Sequence, residues 1–286
     1  MMPDSAPTLD EIVANTSTIC SPPVSYTRLN DAINHPETTI NEIVQIISED
    51  VGLTAQVLKL VNSPLYSFAK VDSIGRAVTL LGTKEIRDLA LTTSMIKTFP
   101  GISENLLNMQ KYWRHGVACG VISRNIAIYL REPSIERFFV AGILHDIGQL
   151  VLCASIPETV RHITKESIEK QQPLCDAERS YLNFDHAELG GTLLKSWGIP
   201  QNIYDLVAYH HKPTQTQTYQ RDAAIVHIAD IMCQALTYGL TAEIRITSLD
   251  EAAFESLNLP VSSIATIIQQ SELQLNGIYS VLLEAA

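Results

Sequence analysis

Seven histidines and aspartates between residues 115 and 230 fall in an order that could hold metal ions. In order they are His115, His145 beside Asp146, His186, His210 beside His211, and Asp230. Imidazole and carboxylate together suit Fe, Mn, Zn or Ni. A carboxylate with imidazoles on either side can bridge two divalent ions. Two such ions a few ångströms apart can activate a water and clamp a phosphoryl group. Taken singly, each residue says little. A histidine in an apolar helix is more often a hydrogen-bonded core residue, and an aspartate at a helix end is usually a cap. His227 and Asp230, three residues apart, can bond to each other on one helix face. His35 and His162 lie in polar surroundings and read as surface residues. The signal lies in the order of the seven.

These residues need a scaffold, and 286 residues supply one large domain or two small ones. The composition, 46% hydrophobic and 18% charged, can bury a full core. No uninterrupted apolar run reaches the roughly 18–20 residues that cross a bilayer. The start, "MMPDSAPTLDEIVANTS", lacks the basic and apolar regions of a signal peptide. The expectation is a cytoplasmic protein with no membrane segment. Twenty Lys and Arg against 31 Asp and Glu leave a net charge of −11. Nucleic acid is a disfavoured partner for such a chain, because basic charge dominates phosphate-backbone binding. Cys20, Cys119, Cys153, Cys175 and Cys233 are scattered without a CxxC and read as five free thiols.

The periodicity is helical nearly throughout, which predicts an all-α fold. "TTINEIVQII" opens with Thr39 and carries Glu42, a capping-box pattern, and Ile40, Ile43, Val44 and Ile47 share a face. In "LTAQVLKLV" the face is Leu53, Val57, Leu60 and Val61, and Pro64 ends the pattern. "SIGRAVTLLG" stops at Gly82, and "TKEIRDLALTTSMI" runs toward Pro100. "FPGISEN", residues 99–105, reads as a seam between two helical subdomains. Beyond it come "LLNMQKYWRHGVACGVISRNIAIYL", "SIERFFVAGILHDIG", a shorter pair around 157–182, and "DHAELGGTLLKSW" with Asp185 as N-cap and Glu188 after it. "DAAIVHIADIMCQAL" follows "AYHHKP", and the last forty or so residues predict two or three short helices.

The order His, His-Asp, His, His-His, Asp resembles the HD superfamily of metal-dependent phosphohydrolases, especially its HD-GYP branch. "SEDVGLTAQVLKLVNSPLYS", "SIGRAVTLLGTKEIRDLAL", "HDIGQLVL", "FDHAELGGTLLKSWGIP" and "AYHH" narrow the resemblance to the HDOD domain, the HD-related output domain of bacterial signalling proteins. It runs from about residue 20 to about 240. The resemblance implies an HD-superfamily helical bundle with an additional N-terminal helical subdomain. The expected division is a tail or short helix over 1–20, the N-terminal subdomain over 21–100 and the HD-like subdomain with C-terminal helices over 101–286. It also implies a ligand set: His115, His145, Asp146 and Asp230 for a first ion, with Asp146 bridging to a second held by His186, His210 and His211. Many HDOD domains have lost these ligands; this chain keeps them. It departs from HD-GYP at Gln149, which stands where a phosphate-contacting lysine is expected. An amide can still hydrogen-bond a phosphate oxygen but brings no charge. It departs again at Lys212, in place of an acid, and at "KPTQTQTYQRD", in place of the GYP loop.

Three readings follow. One is a signal-transduction output module that binds a signalling protein, or a nucleotide, through the groove between its subdomains. The chain starts almost at the domain, so a partner would supply the input. The second is a phosphohydrolase or phosphodiesterase using one or two metals, with Asp146 orienting a water or taking its proton and Gln149 at the substrate. The third is DNA binding through "SEDVGLTAQVLKLVNSP", a helix-turn-helix cadence with Gly52 in the turn. Its second helix offers only Gln56 and Lys59 among apolar residues, and packing explains it more simply.

Overall fold

The computed structural model describes residues 7–16, 22–96, 99, 102–238 and 246–283. Among these the regular elements are helices, as the periodicity predicts. The first six are α1 (Leu9–Thr16), α2 (Val24–Asn34), α3 (Ile40–Ser48), α4 (Val51–Val61), α5 (Ile74–Leu81) and α6 (Thr83–Met95). Then come α7 (Met109–Leu130), α8 (Glu136–Leu144), α9 (Ile147–Ser155), α10 (Pro157–Lys170) and α11 (Leu174–Leu182). The last are α12 (His186–Ser196), α13 (Gln201–Ala208), α14 (Gln220–Ala235), α15 (Glu251–Leu257) and α16 (Val261–Leu282). Helices α2 to α6 pack on one another; α7 packs against α8, α14 and α16, and α12 against α9 and α13. Helix α6 meets α8, and α16 reaches back to α4. Cys20, Pro100 and part of the 99–105 seam lie outside the described residues.

The predicted caps form. Thr39 and Glu42 make a reciprocal capping box at α3, and Asp185 accepts from the Glu188 amide at α12 (2.9 Å). Orphan amides at both helix starts are thereby satisfied. Asp50, not Gly52, makes the start of α4: its carboxylate accepts from Leu53 N at 2.9 Å, and Gly52 sits inside the helix's first turn. Helix α4 buries Leu53, Val57, Leu60 and Val61 against α3, α5, α6 and α16. That packing accounts for the helix-turn-helix cadence.

Two expectations are corrected. The end of the chain is not a set of short helices: α16 runs for 22 residues along α7, with Gly277 close against the Pro64 ring. The run through "AGILHDIG" is not one helix either. It breaks at His145–Asp146 into α8 and α9, both buried; α8 carries Glu136 and Arg137 in ion pairs with Arg124 and Asp222, and α9 carries Gln149 among its apolar residues. Residues 136–155 together have the length and hydropathy of a membrane span, but 89% of that stretch is buried inside the fold. Hydropathy cannot distinguish such a core segment from a lipid-facing one.

Close helix approach sets where the break points. A Cβ on Gly142 of α8 would lie 2.6 Å from Gly120 Cα of α7. A Cβ on Gly148 of α9 would collide with the His186 carbonyl oxygen of α12. These contacts press α9 onto α12 and bring Asp146 to His186. Gly148→Ala is expected to lower stability by about 1–3 kcal/mol, because the added methyl meets backbone. Gly75→Ala, whose Cβ meets nothing within 4 Å in α5, should raise it by roughly 0.5–1 kcal/mol. Urea unfolding of the two variants checks both signs.

Candidate metal centre

The fold brings all seven residues to one buried place. His115 comes from α7 and Asp230 from α14. His145 and Asp146 fill the break between α8 and α9. His186 opens α12, and His210 and His211 follow α13. His145, His186 and His210 are fully buried, and His211, the most exposed of the seven, shows only 7%.

Four of the rings are anchored in the same way. The Nδ1–H groups of His115, His145 and His210 donate to the carbonyls of Tyr238 (3.1 Å), Gly142 (2.7 Å) and Val207 (2.8 Å). His186 donates from Nδ1 to the Glu178 carboxylate at 2.6 Å. A carbonyl or carboxylate can only accept, so Nδ1 carries the proton on each ring, and the Nε2 atoms are turned inward. This outer anchoring is the arrangement that orients metal-ligating histidines. The Nε2 atoms of His145 and His210 have no hydrogen-bond partner among the described residues.

Asp146 stands between two groups of these nitrogens. Its Oδ2 lies 3.3 Å from His145 Nε2 and 3.8 Å from His115 Nε2. Its Oδ1 lies 3.1 Å from His186 Nε2 and 3.9 Å from His210 Nε2. Asp230 Oδ1 closes the first group, 3.0 Å from His115 and 3.6 Å from His145. His211 Nε2 closes the second, 2.9 Å from His186 Nε2. Ligand atoms around an ion with bonds of about 2.0–2.2 Å are separated by roughly 3–3.6 Å. The donor set therefore fits a first-row divalent ion, and buried His/Asp groups able to hold one occur on both sides of Asp146.

The charges follow from these neighbours. Burial opposes ionisation of Asp146 and Asp230, but His145 with His186, and His115 with His145, outweigh it and hold both carboxyls well below the usual range. Burial likewise opposes protonation of His145 and His186. Asp146 beside the first, and Glu178 with Asp146 beside the second, reverse the sign and hold both rings well above the usual range. His210 is pushed down to about 3 by burial and the neighbouring His145, and His211 falls by burial and His210. Without an ion, the centre balances two carboxylates with protonated His145 and His186.

Gln149 lies one turn into α9, buried, with its Nε2 unpartnered among the described residues. Lys212 is half-buried beside His211. His227 does not bond Asp230, contrary to the sequence reading. Its Nδ1–H donates to the His210 carbonyl (2.7 Å), and its Nε2 accepts from Asp250 N (2.9 Å). Asp230 faces the other way, toward His115. His35 and His162 are exposed, as expected. Cys119, Cys153 and Cys233 are free thiols.

The sequence reading missed three residues. Glu178 carries the anchor of His186, and its only signal is an acid eight residues upstream in an otherwise amphipathic helix. Tyr238 contributes a main-chain carbonyl, which no side-chain pattern reveals. Tyr112 lies one turn before His115 on the same helix face, its buried hydroxyl unpartnered among the described residues.

The sequence profile of the HDOD domain matches residues 19–213. A protein of Treponema pallidum (strain Nichols), itself uncharacterised, is 24% identical over 217 residues, 75% of this chain. That stretch is 42% of the relative, so the chain spans about two-fifths of the relative's length. Among solved structures, an HDOD domain protein of unknown function from Geobacter sulfurreducens superposes with a TM-score of 0.73 at 22% identity. It covers 96% of this chain and 98% of its own. A candidate metal-dependent phosphohydrolase from Shewanella amazonensis SB2B gives 0.67 at 17% identity, with 95% and 99% covered. A candidate signal transduction protein from Marinobacter aquaeolei VT8 gives 0.67 at 17%, with 94% and 61% covered. At these identities the structures establish a common fold.

Metal ligands must be deprotonated, so loading releases protons. His145 and His186 are expected to give up about one each when Zn²⁺ is added at pH 7, while Asp146, Asp230, His210 and His211 give none. Affinity should fall as pH drops, because protons compete for the same Nε2 atoms. Glu178→Gln withdraws the carboxylate that raises His186, so the release should drop toward one proton. Calorimetry in buffers of different ionisation enthalpy measures the count; no release in the wild type would contradict the charge assignment.

Proposed function

We propose that this chain, which belongs to the HDOD-domain family, is a bacterial signal-transduction output module whose buried His/Asp centre holds divalent ions as part of the fold. It acts by binding a signalling protein or a nucleotide in the groove between its N-terminal and HD-like helical sets. The observation that carries the reading is the closure of the centre. All seven ligand side chains are buried, at 7% exposure or less. Counting Asp146 on both sides, each ion would also have four protein donors; structural metal sites are closed in this way, whereas catalytic ones keep a position for water or substrate. Gln149, next along α9, brings no positive charge to meet a phosphate. The solved relative described as a candidate signal transduction protein fits this context. The buried free thiols of Cys119, Cys153 and Cys233 suit the cytoplasm, a reducing compartment. The net charge of −11 argues against nucleic acid as a partner.

His115, His145, Asp230 and Asp146 Oδ2 would hold one ion; His186, His210, His211 and Asp146 Oδ1 would hold the other. Fe, Mn, Zn and Ni all suit this donor set.

The bridging position of Asp146 favours a second reading, a metal-dependent phosphohydrolase. Bound ions would supply Lewis acidity at phosphorus and a water of lowered pKa. Asp146 would orient that water or take its proton, and the unpartnered Gln149 amide would donate to a phosphoryl oxygen.

Elemental analysis of untagged protein purified without chelator, as wild type and as Asp146→Ala, tests both. The expected result is near-stoichiometric metal in the wild type, lost in the variant. EDTA should lower the melting temperature of the wild type only, since a ligand bound by the native state alone stabilises it. No turnover of phosphomonoesters or phosphodiesters by the loaded wild type supports the output module. Turnover that Asp146→Ala abolishes moves the assignment to the hydrolase. A wild type that stays metal-free after reconstitution overturns both metal assignments.

A further inference from the structure

A cleft of about 400 Å³ opens between α7, α16 and the connection from α4 to α5. Small-molecule sites occupy roughly 300–1,000 Å³. Its rim carries Phe68, Ile128 and Tyr129, three of the large apolar side chains exposed on this chain. The Phe68 ring stacks on Tyr66, centroids 5.5 Å apart and planes 13° apart. The Arg124 guanidinium lies 4.9 Å from the Tyr66 ring centre. That guanidinium is the one cation lining the cleft among the described residues, and it is already committed. It pairs with buried Glu136 and donates to the Leu65 carbonyl at 3.1 Å. The cleft therefore offers flat apolar surface and no free charge.

Its polar part has a fixed direction. Ser271 Oγ donates its proton to the Ile267 carbonyl (2.8 Å). The same oxygen must then accept from Asn125, so the Asn125 atom facing it is Nδ2, at 2.9 Å. Nδ2 also donates to Gln274 Oε1, at 2.9 Å. Both amides are thus oriented by the serine. Asn125 Oδ1 is left without a donor and Gln274 Nε2 without an acceptor among the described residues, although both residues are over nine-tenths buried and both line the cleft. Both atoms open onto the cleft, where a ligand can take the place of water on them.

We propose that this cleft binds a nucleobase: a flat, uncharged ring that stacks on the open face of Phe68, donates to Asn125 Oδ1 and accepts from Gln274 Nε2. Adjacent donor and acceptor groups on a planar edge are what a nucleobase presents, and what paired amides read. Sugar and phosphates would remain outside, since no lining cation is free to meet them. The inference rests on the output-module reading and deepens it by naming the ligand class.

Adenosine, guanosine, cytidine and uridine are each titrated into the full chain, with saturation-transfer NMR reading contact and calorimetry reading affinity. At least one is expected to bind with Kd at or below about 1 mM, and its 5′-monophosphate no more tightly. Phe68→Ala, at an exposed position, and Gln274→Met, close in volume, should each weaken it about tenfold or more, with the melting temperature of Phe68→Ala near wild type. Three results overturn the proposal: no nucleoside binds at that limit; both variants bind like wild type, which puts the ligand elsewhere; or a wild-type dimer becomes monomeric in Phe68→Ala, which makes the cleft a contact between copies. No metal or signalling partner enters this measurement. A negative result therefore removes the nucleobase and leaves the output-module reading to metal analysis and turnover.

Discussion

The structure depends on one carboxylate in a place where carboxylates are expensive. Asp146 is buried and, among the described residues, has no arginine or lysine beside it; imidazoles compensate its charge. An isolated buried charge costs far more than a domain's net stability, so the surroundings must supply counter-charge and hydrogen bonds. Here they do so from four separate regions of the chain, α7, the α8–α9 break, the start of α12 and the end of α13, while α14 adds a second carboxylate, Asp230, that shares the same imidazoles. A local rearrangement of any one would leave Asp146 or Asp230 under-compensated. The same requirement explains the glycines at the α7–α8 and α9–α12 crossings. Imidazoles reach only a few ångströms, and backbones must approach closely for rings on different helices to share one carboxylate.

Much of this was legible in the residues, for a physical reason. The seven candidate ligands are side chains with rare chemistry, so their types and order survive in the sequence even though 115 residues separate His115 from Asp230. Helix caps were legible because they are local: Thr39–Glu42 and Asp185–Glu188 each close within three residues. The break at His145–Asp146 was not. Nothing within "AGILHDIGQL" is a poor helix former in the way proline is. The chain turns because each half is buried against different partners, a tertiary effect. The anchors behind the rings were illegible for a third reason. Three of the four are main-chain carbonyls, and every residue has one.

His227 shows how a local reading fails. Three residues separate it from Asp230, a spacing that permits a bond along one helix face. In the fold each has a stronger claim elsewhere. Asp230 turns to His115, while His227 ties the His210 carbonyl to the amide of Asp250, the residue that caps α15. Proximity along a helix offers a bond worth a few tenths of a kcal/mol. Compensating a buried carboxylate is worth more, and it decided the geometry.

That tie also links the centre to the end of the chain. Tyr238, just beyond α14, holds His115 through its carbonyl, and Asp250 holds His210 through His227. The two ends of the connection between α14 and α15 therefore reach the centre, one on each side of Asp146. A domain whose ligands came from one hairpin could gain or lose an ion with only local consequences. Here an ion at either side of Asp146 would be held by side chains drawn from α7 through α14 and anchored in part from the connection that leads to α15. Binding to the native state alone adds stability to whatever the ligands join. In this molecule they join most of it, so the centre acts as a keystone of the scaffold whether or not it also turns over a substrate.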